Sequence, residues 1–234
     1  MKALLIGFGE IGSSVYSVFS EKHEIYIYDP AKGHEDNPGN GVDLLLIAIP
    51  YTEGEFEDVV KAWQMKIRPQ GTLIFSTVSI GTCRKLNACH FPIEGKHPNI
   101  ERDIRMNQNH WLGGYNAFIS QFLDQSGLKY RQLDKPEYTE FLKLRSTSYY
   151  GVCIEFARYS KQVADVIGLD EKIIHYYDMG YNILVQDRGD HRFIRPILTA
   201  PEGNIKGHCV VPNSKILDNQ FPSEFLKMIY SEKE

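Results

Sequence analysis

Three glycines near the start of the chain carry the most specific chemistry in it. Gly7-Phe8-Gly9-Glu10-Ile11-Gly12 spells G-x-G-x-x-G, directly after an apolar run and directly before a stretch of helical periodicity. In that context the glycines have separate jobs: Gly7 permits a tight turn, Gly9 lets a diphosphate approach the backbone, and Gly12 lets helix and strand pack closely. The N–H groups and positive dipole end of the helix that follows attract phosphate. Asp29 stands at the end of the next apolar run, where a carboxylate accepts hydrogen bonds from ribose hydroxyls and repels a 2′-phosphate. No Arg follows it, so the spacing predicts NAD rather than NADP. The expected cofactor contacts are Gly7, Phe8, Gly9, Glu10, Ile11, Gly12, Asp29, Pro50, Ser76 and Thr77.

Other residues could act on a substrate. Residues 76–82, Ser-Thr-Val-Ser-Ile-Gly-Thr, place hydroxyls at the end of a fourth apolar run, where ligands of open α/β sheets bind. Glu140, Lys143, Thr147 and Tyr150 are spaced to share one helix face. Cys209 sits in a Gly-rich stretch after Lys206-Gly207-His208. Arg188, Arg192 and Arg195 precede it and could clamp an anion. Glu94-Gly95-Lys96-His97 reads as a loop facing substrate. Plainer roles fit several of these residues: a buried inert thiol for Cys209, and a solvated charge paired with Glu140 for Lys143.

The elements that must position them alternate between strand and helix over the first half. Residues 2–8, 24–28, 42–50 and 72–78 read as strands, and residues 10–21 and 53–67 as helices. This pattern belongs to a parallel sheet with crossovers. A polar loop is expected over 30–41, and an irregular, loop-rich segment with one or two strands over 83–114. A helix over 115–125 and an edge strand over 129–133 follow. Residues 137–167 read as one long helix, 172–185 as another, and 186–213 as a long loop. The expected architecture is α/β: a Rossmann-type parallel-sheet domain over 1–133, then a smaller, mainly helical domain over 134–234 with one long helix.

The chain has 234 residues, 42% hydrophobic and 24% charged, with a net charge of −4. A mildly acidic chain has no long-range attraction for nucleic acid or an anionic membrane, so neither is an expected partner. The apolar start is too soon broken by glycine for a signal peptide, and no run is long enough to span a bilayer. Four cysteines without C-x-x-C spacing suit a reduced, cytoplasmic setting. Eight histidines without paired spacing predict no metal.

Taken in order, four segments resemble the UDP-glucose/GDP-mannose dehydrogenase family. These are the G-x-G-x-x-G start, the S-T-V-x-x-G-T segment at 76–82, Glu140-Phe141-Leu142-Lys143-Leu144 in the long helix, and Gly207-His208-Cys209. The resemblance implies an NAD-dependent oxidoreductase acting on a sugar-like alcohol. It implies that Cys209 is the nucleophile toward an aldehyde, that Lys143 stabilises an oxyanion, and that Thr77 positions water or cofactor. Thr147 and Asn213 complete the implied catalytic set. The family also implies a homodimer through the long helix.

The chain departs from the family pattern at three of these positions. The helix Asn is Thr147, the Asp after the Cys is Asn213, and the first Gly of the Cys loop is Lys206. The sequence also ends shortly after that loop, without the family's third domain. The expectation is therefore a member with a smaller substrate, with binding surface borrowed from a partner, or with only one hydride transfer. Two other readings remain open: a 6-phosphogluconate or β-hydroxyacid type dehydrogenase using Lys alone, and a non-catalytic NAD-binding sensor or scaffold.

Overall fold

The computed structural model describes residues 1–39, 41–205 and 209–232. It divides into two compact units, Met1–Lys143 and Leu144–Glu234. The sequence places a boundary at 133/134. The cut falls later because the first turns of the long helix are tied into the first unit by Thr139 and Glu140, as described below.

The first unit is one eight-stranded sheet. Its strands are β1 (Lys2–Ile6), β2 (Glu24–Asp29), β3 (His34–Glu35), β4 (Leu44–Ile47), β5 (Gly71–Ile74), β6 (Cys89–His90), β7 (His110–Gly113) and β8 (Tyr130–Leu133), in the order β3-β2-β1-β4-β5-β6-β7-β8. All neighbours run parallel except β2 with β3 and β6 with β7. Alternation along the central strands fills two cores. Ala3, Leu5, Leu44, Leu46 and Leu73 face one side, packed with Val15, Phe19 and Phe122. Leu4, Ile6, Leu45, Ile47 and Ile74 face the other, packed with Phe56 and Val60. Coverage on both faces is why β4 is apolar at every position and β1 at all but its first.

The crossovers are α1 (Glu10–Phe19), α2 (Glu55–Ile67), α3 (Thr82–Lys85), α4 (Ile100–Met106) and α5 (Ala117–Gln125). Asn116 caps α5, its side chain accepting from the N–H groups of Phe118 and Ile119. Residues 30–41, expected as a loop, hold a 3-10 turn and β3. Residues 83–114 hold the two expected strands, β6 and β7, together with the helices α3 and α4. Strands of two to four residues show no periodicity of their own and exist through their neighbours.

The 32-residue helix α6 (Pro136–Ile167) starts at a proline, whose missing N–H costs nothing there. It runs about 48 Å at 1.5 Å per residue and continues into the second unit. That unit adds α7 (Glu171–Asp187), α8 (Val210–Gln220) and α9 (Glu224–Tyr230). Gly151 of α6 is where α8 and α9 come closest: a Cβ there would lie 2.9 Å from Val210 and 3.0 Å from Ile229. The expected loop over 186–213 ends earlier, since α8 already begins at Val210. Pro212 falls in its first turn, where no donor is needed.

The irregular strap after α7 is pinned side chain by side chain. Asn182 bonds both the N–H and the carbonyl of Arg195, at 2.8 and 2.9 Å. A ring nitrogen of His175 lies 3.2 Å from the Leu198 carbonyl, and Arg158 donates to that of Pro201 at 2.9 Å. Among the described residues, no helix is long and apolar enough to cross a membrane.

Candidate functional site

The glycine loop joins β1 to α1 at the carboxyl edge of the sheet. There β1 is flanked by β2 on one side and β4 on the other, so the chain order reverses. Ligands of such sheets enter the crevice at that reversal. Gly7 has φ of +93°, and a Cβ on it would sit 2.5 Å from the Ala48 carbonyl oxygen. A Cβ on Gly12 would lie 2.1 Å from the Gly7 oxygen. A Cβ on Gly9 would meet nothing within 4 Å. Two glycines are thus required by packing, while the third opens onto empty space in front of the α1 N-terminus. This is the cradle that a diphosphate needs, and the residues present fit a dinucleotide.

Asp29 ends β2 and accepts a 2.7 Å hydrogen bond from the Phe8 N–H through Oδ2. This bond holds the glycine loop against the carboxylate. The Phe8 ring turns to protein, its centroid 4.5 Å from His34 and 5.7 Å from Tyr16. Ile11 packs on the core beneath, Glu10 is exposed, and Pro50 is exposed beyond β4. Ser76 is buried and its hydroxyl donates to the Ile49 carbonyl at 2.7 Å, tying the ends of β4 and β5 together. Thr77 is half-buried beside it. The Tyr51 and Ser79 hydroxyls share a short hydrogen bond across the same edge.

Lys143 and Glu140 do not pair. Glu140 is fully buried and accepts from the N–H groups of Gly81 and Cys83, at 2.6 and 2.7 Å. Burial raises its pKa, and these two bonds oppose the shift. Lys143 instead donates to the Ile93 carbonyl at 2.6 Å, in the loop that follows β6. Beneath it, His90 donates from Nε2 to the Ser76 carbonyl at 3.2 Å and accepts at Nδ1 from Thr139, at 2.9 Å. Burial, then the nearby Lys143 charge, push its pKa down to about 3, so the ring is neutral.

Cys209 and Asn213 belong to the second unit. Cys209 is exposed and forms the N-cap of α8, so the reading of it as a buried thiol is corrected. Asn213 is buried and donates to the Thr147 hydroxyl at 3.2 Å. Lys206, Gly207 and His208 lie outside the described residues. Arg192 pairs with Asp190, and Arg195 lies 3.5 Å from the Tyr181 ring centroid and 3.6 Å from Asp178.

Two contacts lie outside the sequence reading: Glu140 with the Gly81–Cys83 turn, and His97 with Glu10, at 3.6 Å. No local pattern signals either, since the partners lie far apart in the chain. Among the described residues, no group of three metal-ligating side chains comes together. A cavity of about 220 Å³ lined by Arg84, Asn87, Asn116 and Asp134 lies at the opposite, amino-terminal edge of β5 and β6.

No family model matches the sequence, and no curated protein matches it. Solved structures do match its fold. A UDP-glucose dehydrogenase from Pyrobaculum islandicum superposes with a TM-score of 0.73 at 16% identity, over 98% of this chain and 67% of its own. The likeness is one of fold. A UDP-D-ManNAc dehydrogenase from Pyrococcus horikoshii gives 0.70 at 17% identity, over 98% of this chain and 66% of its own. The chain thus spans about two thirds of the length of both proteins. A 3-hydroxyisobutyrate dehydrogenase from Mycobacterium tuberculosis gives 0.67 at 11% identity, over 97% of this chain and 90% of its own.

Proposed function

We propose that this chain is an NAD-dependent oxidoreductase acting on the alcohol of a small, sugar-like molecule. The observation that carries the proposal is the glycine loop: packing demands glycine at Gly7 and Gly12, while Gly9 faces open space beside Asp29. Gly7, Gly9, Gly12 and the first turn of α1 would hold the diphosphate, and Asp29 the adenosine ribose. NAD, when bound, supplies a hydride acceptor.

The chain's own residues then have separable tasks. The Lys143 ammonium would hold negative charge developing on a substrate oxygen, which a fixed cation does well where water is scarce. The Cys209 thiol would add to the carbonyl carbon of the aldehyde formed in the first oxidation, giving a thiohemiacetal. Loss of that carbon's hydride to a second NAD and of the hydroxyl proton to solvent would leave a thioester, which water would cleave to an acid and the free thiol. Thr77 would position water or cofactor. Thr147 and Asn213, bonded to each other, would support Cys209 from α6 and α8.

The 3-hydroxyisobutyrate dehydrogenase match favours a second reading, because the chain spans 90% of that protein. In that reading Lys143 acts without a thiol, and one hydride is transferred. Candidate alcohols and aldehydes should be screened by NADH absorbance with the wild type and with Cys209→Ser. Loss of acid formation in the variant supports the thiol reading. Unchanged turnover supports the Lys-only reading. Tight NADH binding with no turnover of any alcohol or aldehyde supports a sensor.

The second unit exposes Phe156, Tyr159 and Val166 on α6, and Tyr176, Tyr177 and Ile183 on α7. An apolar surface of this kind favours association. We assign it to a second copy of the chain. Light scattering that gives a monomer at micromolar concentration would remove that assignment.

A further inference from the structure

The loop that joins β6 to α4 has no part in the function above, yet it is folded against its surroundings. The Ile93 carbonyl accepts from Lys143 at 2.6 Å. The Lys96 N–H donates to the Asp103 carboxylate at 2.9 Å, and the Asn99 N–H closes a turn onto the Lys96 carbonyl at 2.7 Å. Gly95 lets the loop lie on α4, since a Cβ there would sit 3.1 Å from Asp103 and 3.3 Å from Ile100. This framework carries His97 to the glycine loop, with Nδ1 3.6 Å from Oε1 of Glu10.

Glu10 is the first residue of α1, directly after its N-cap Gly9, on which a Cβ would meet nothing within 4 Å. A carboxylate there is close to where the cofactor's phosphates would lie, and like charges repel. His97 offers a ring N–H donor at the same place. The two side chains are 66% and 56% exposed, so their contact is weak and easily exchanged. We propose that His97 is a cofactor-binding residue: its ring donates to the diphosphate of the dinucleotide, and the Glu10 carboxylate takes that place while no cofactor is bound. This rests on the dinucleotide reading of the glycine loop. It adds a contact from a loop that the G-x-G-x-x-G motif does not include.

Binding of NADH, ADP and adenosine to the full chain tests the idea by fluorescence and calorimetry. His97→Ala should weaken NADH and ADP about five- to tenfold, the range of one partly exposed hydrogen bond to a charged group. His97→Lys should restore most of that loss. Glu10→Gln should strengthen both ligands a few-fold by removing a competing anion. Adenosine, which has no phosphate, should respond to neither change. Unchanged NADH affinity in His97→Ala overturns the assignment, as does an equal loss for adenosine, which would mark a merely structural role. If the wild-type chain binds neither NADH nor ADP, the dinucleotide reading itself fails, and the role of His97 falls with it.

Discussion

Asn213 of α8 donates a hydrogen bond from its side-chain amide to the hydroxyl of Thr147 on α6, at 3.2 Å. These are two of the positions where the chain departs from the dehydrogenase family it resembles, and in the fold they meet. Both side chains are neutral. The pair therefore has no ordinary proton-accepting base, and its work is to join the two helices beside Cys209. Thr147→Val and Asn213→Ala should each cost about 1 kcal/mol. The double variant should cost clearly less than the sum, because the same bond is lost once. Chemical denaturation of the four proteins measures this, and strict additivity would show the bond to be energetically idle.

The three glycines of the motif should separate into structural and binding positions. Gly12→Ala drives a methyl into the Gly7 oxygen and should cost at least about 1–3 kcal/mol, the usual range for overpacking. Gly9→Ala meets no neighbour, so its melting temperature should stay near wild type while NADH affinity falls. Thermal melts beside NADH titrations would test the split, and a Gly9→Ala protein with full affinity would contradict it.

Asp29→Asn should weaken NADH binding tenfold or more and soften the discrimination against NADPH. The amide oxygen can still accept from Phe8, but the charge that binds ribose hydroxyls and repels a 2′-phosphate is gone. Equal NADH affinity in variant and wild type would place the ribose elsewhere.

Glu140→Ala should be the most damaging single change near Lys143. It leaves the N–H groups of Gly81 and Cys83 without their acceptor, at about 1–3 kcal/mol each where no water replaces it. Glu140→Gln keeps one oxygen and should fall between the two. A Glu140→Ala protein as stable as wild type would mean that water reaches the turn.

His90 should make the fold sensitive to acid. Its pKa is lowered from 6.5 to about 3 in the folded chain, so the unfolded chain binds more protons between those values. Stability is therefore lost as pH falls from 6.5 towards 3, at up to about 1.4 kcal/mol per pH unit for this group. Glu140 acts the other way. Its raised pKa favours the protonated folded form, and it loses stability as pH rises through its own titration range. His90→Gln should flatten the slope between pH 6.5 and the onset of carboxylate titration. An unchanged slope would assign acid sensitivity to other groups.

Much of this chain could be read from its residues because the signals were local. The buried runs of β1 and β4, the glycine spacing that follows β1, and the helical spacing that becomes α6 depend on residues within a few positions of each other. A period or a turn requirement is written directly into such a stretch. The tertiary structure decided what depends on partners distant in sequence. Strands β6 and β7 exist through pairing with neighbours. Glu140 looks from sequence like a partner for Lys143, three residues on, yet it turns to a helix turn 57 residues upstream. His97 reaches Glu10 only because the β6–α4 loop folds back to the edge of the sheet where β1 ends. A contact of that kind is set by the paths of whole elements, and no short stretch of sequence encodes it.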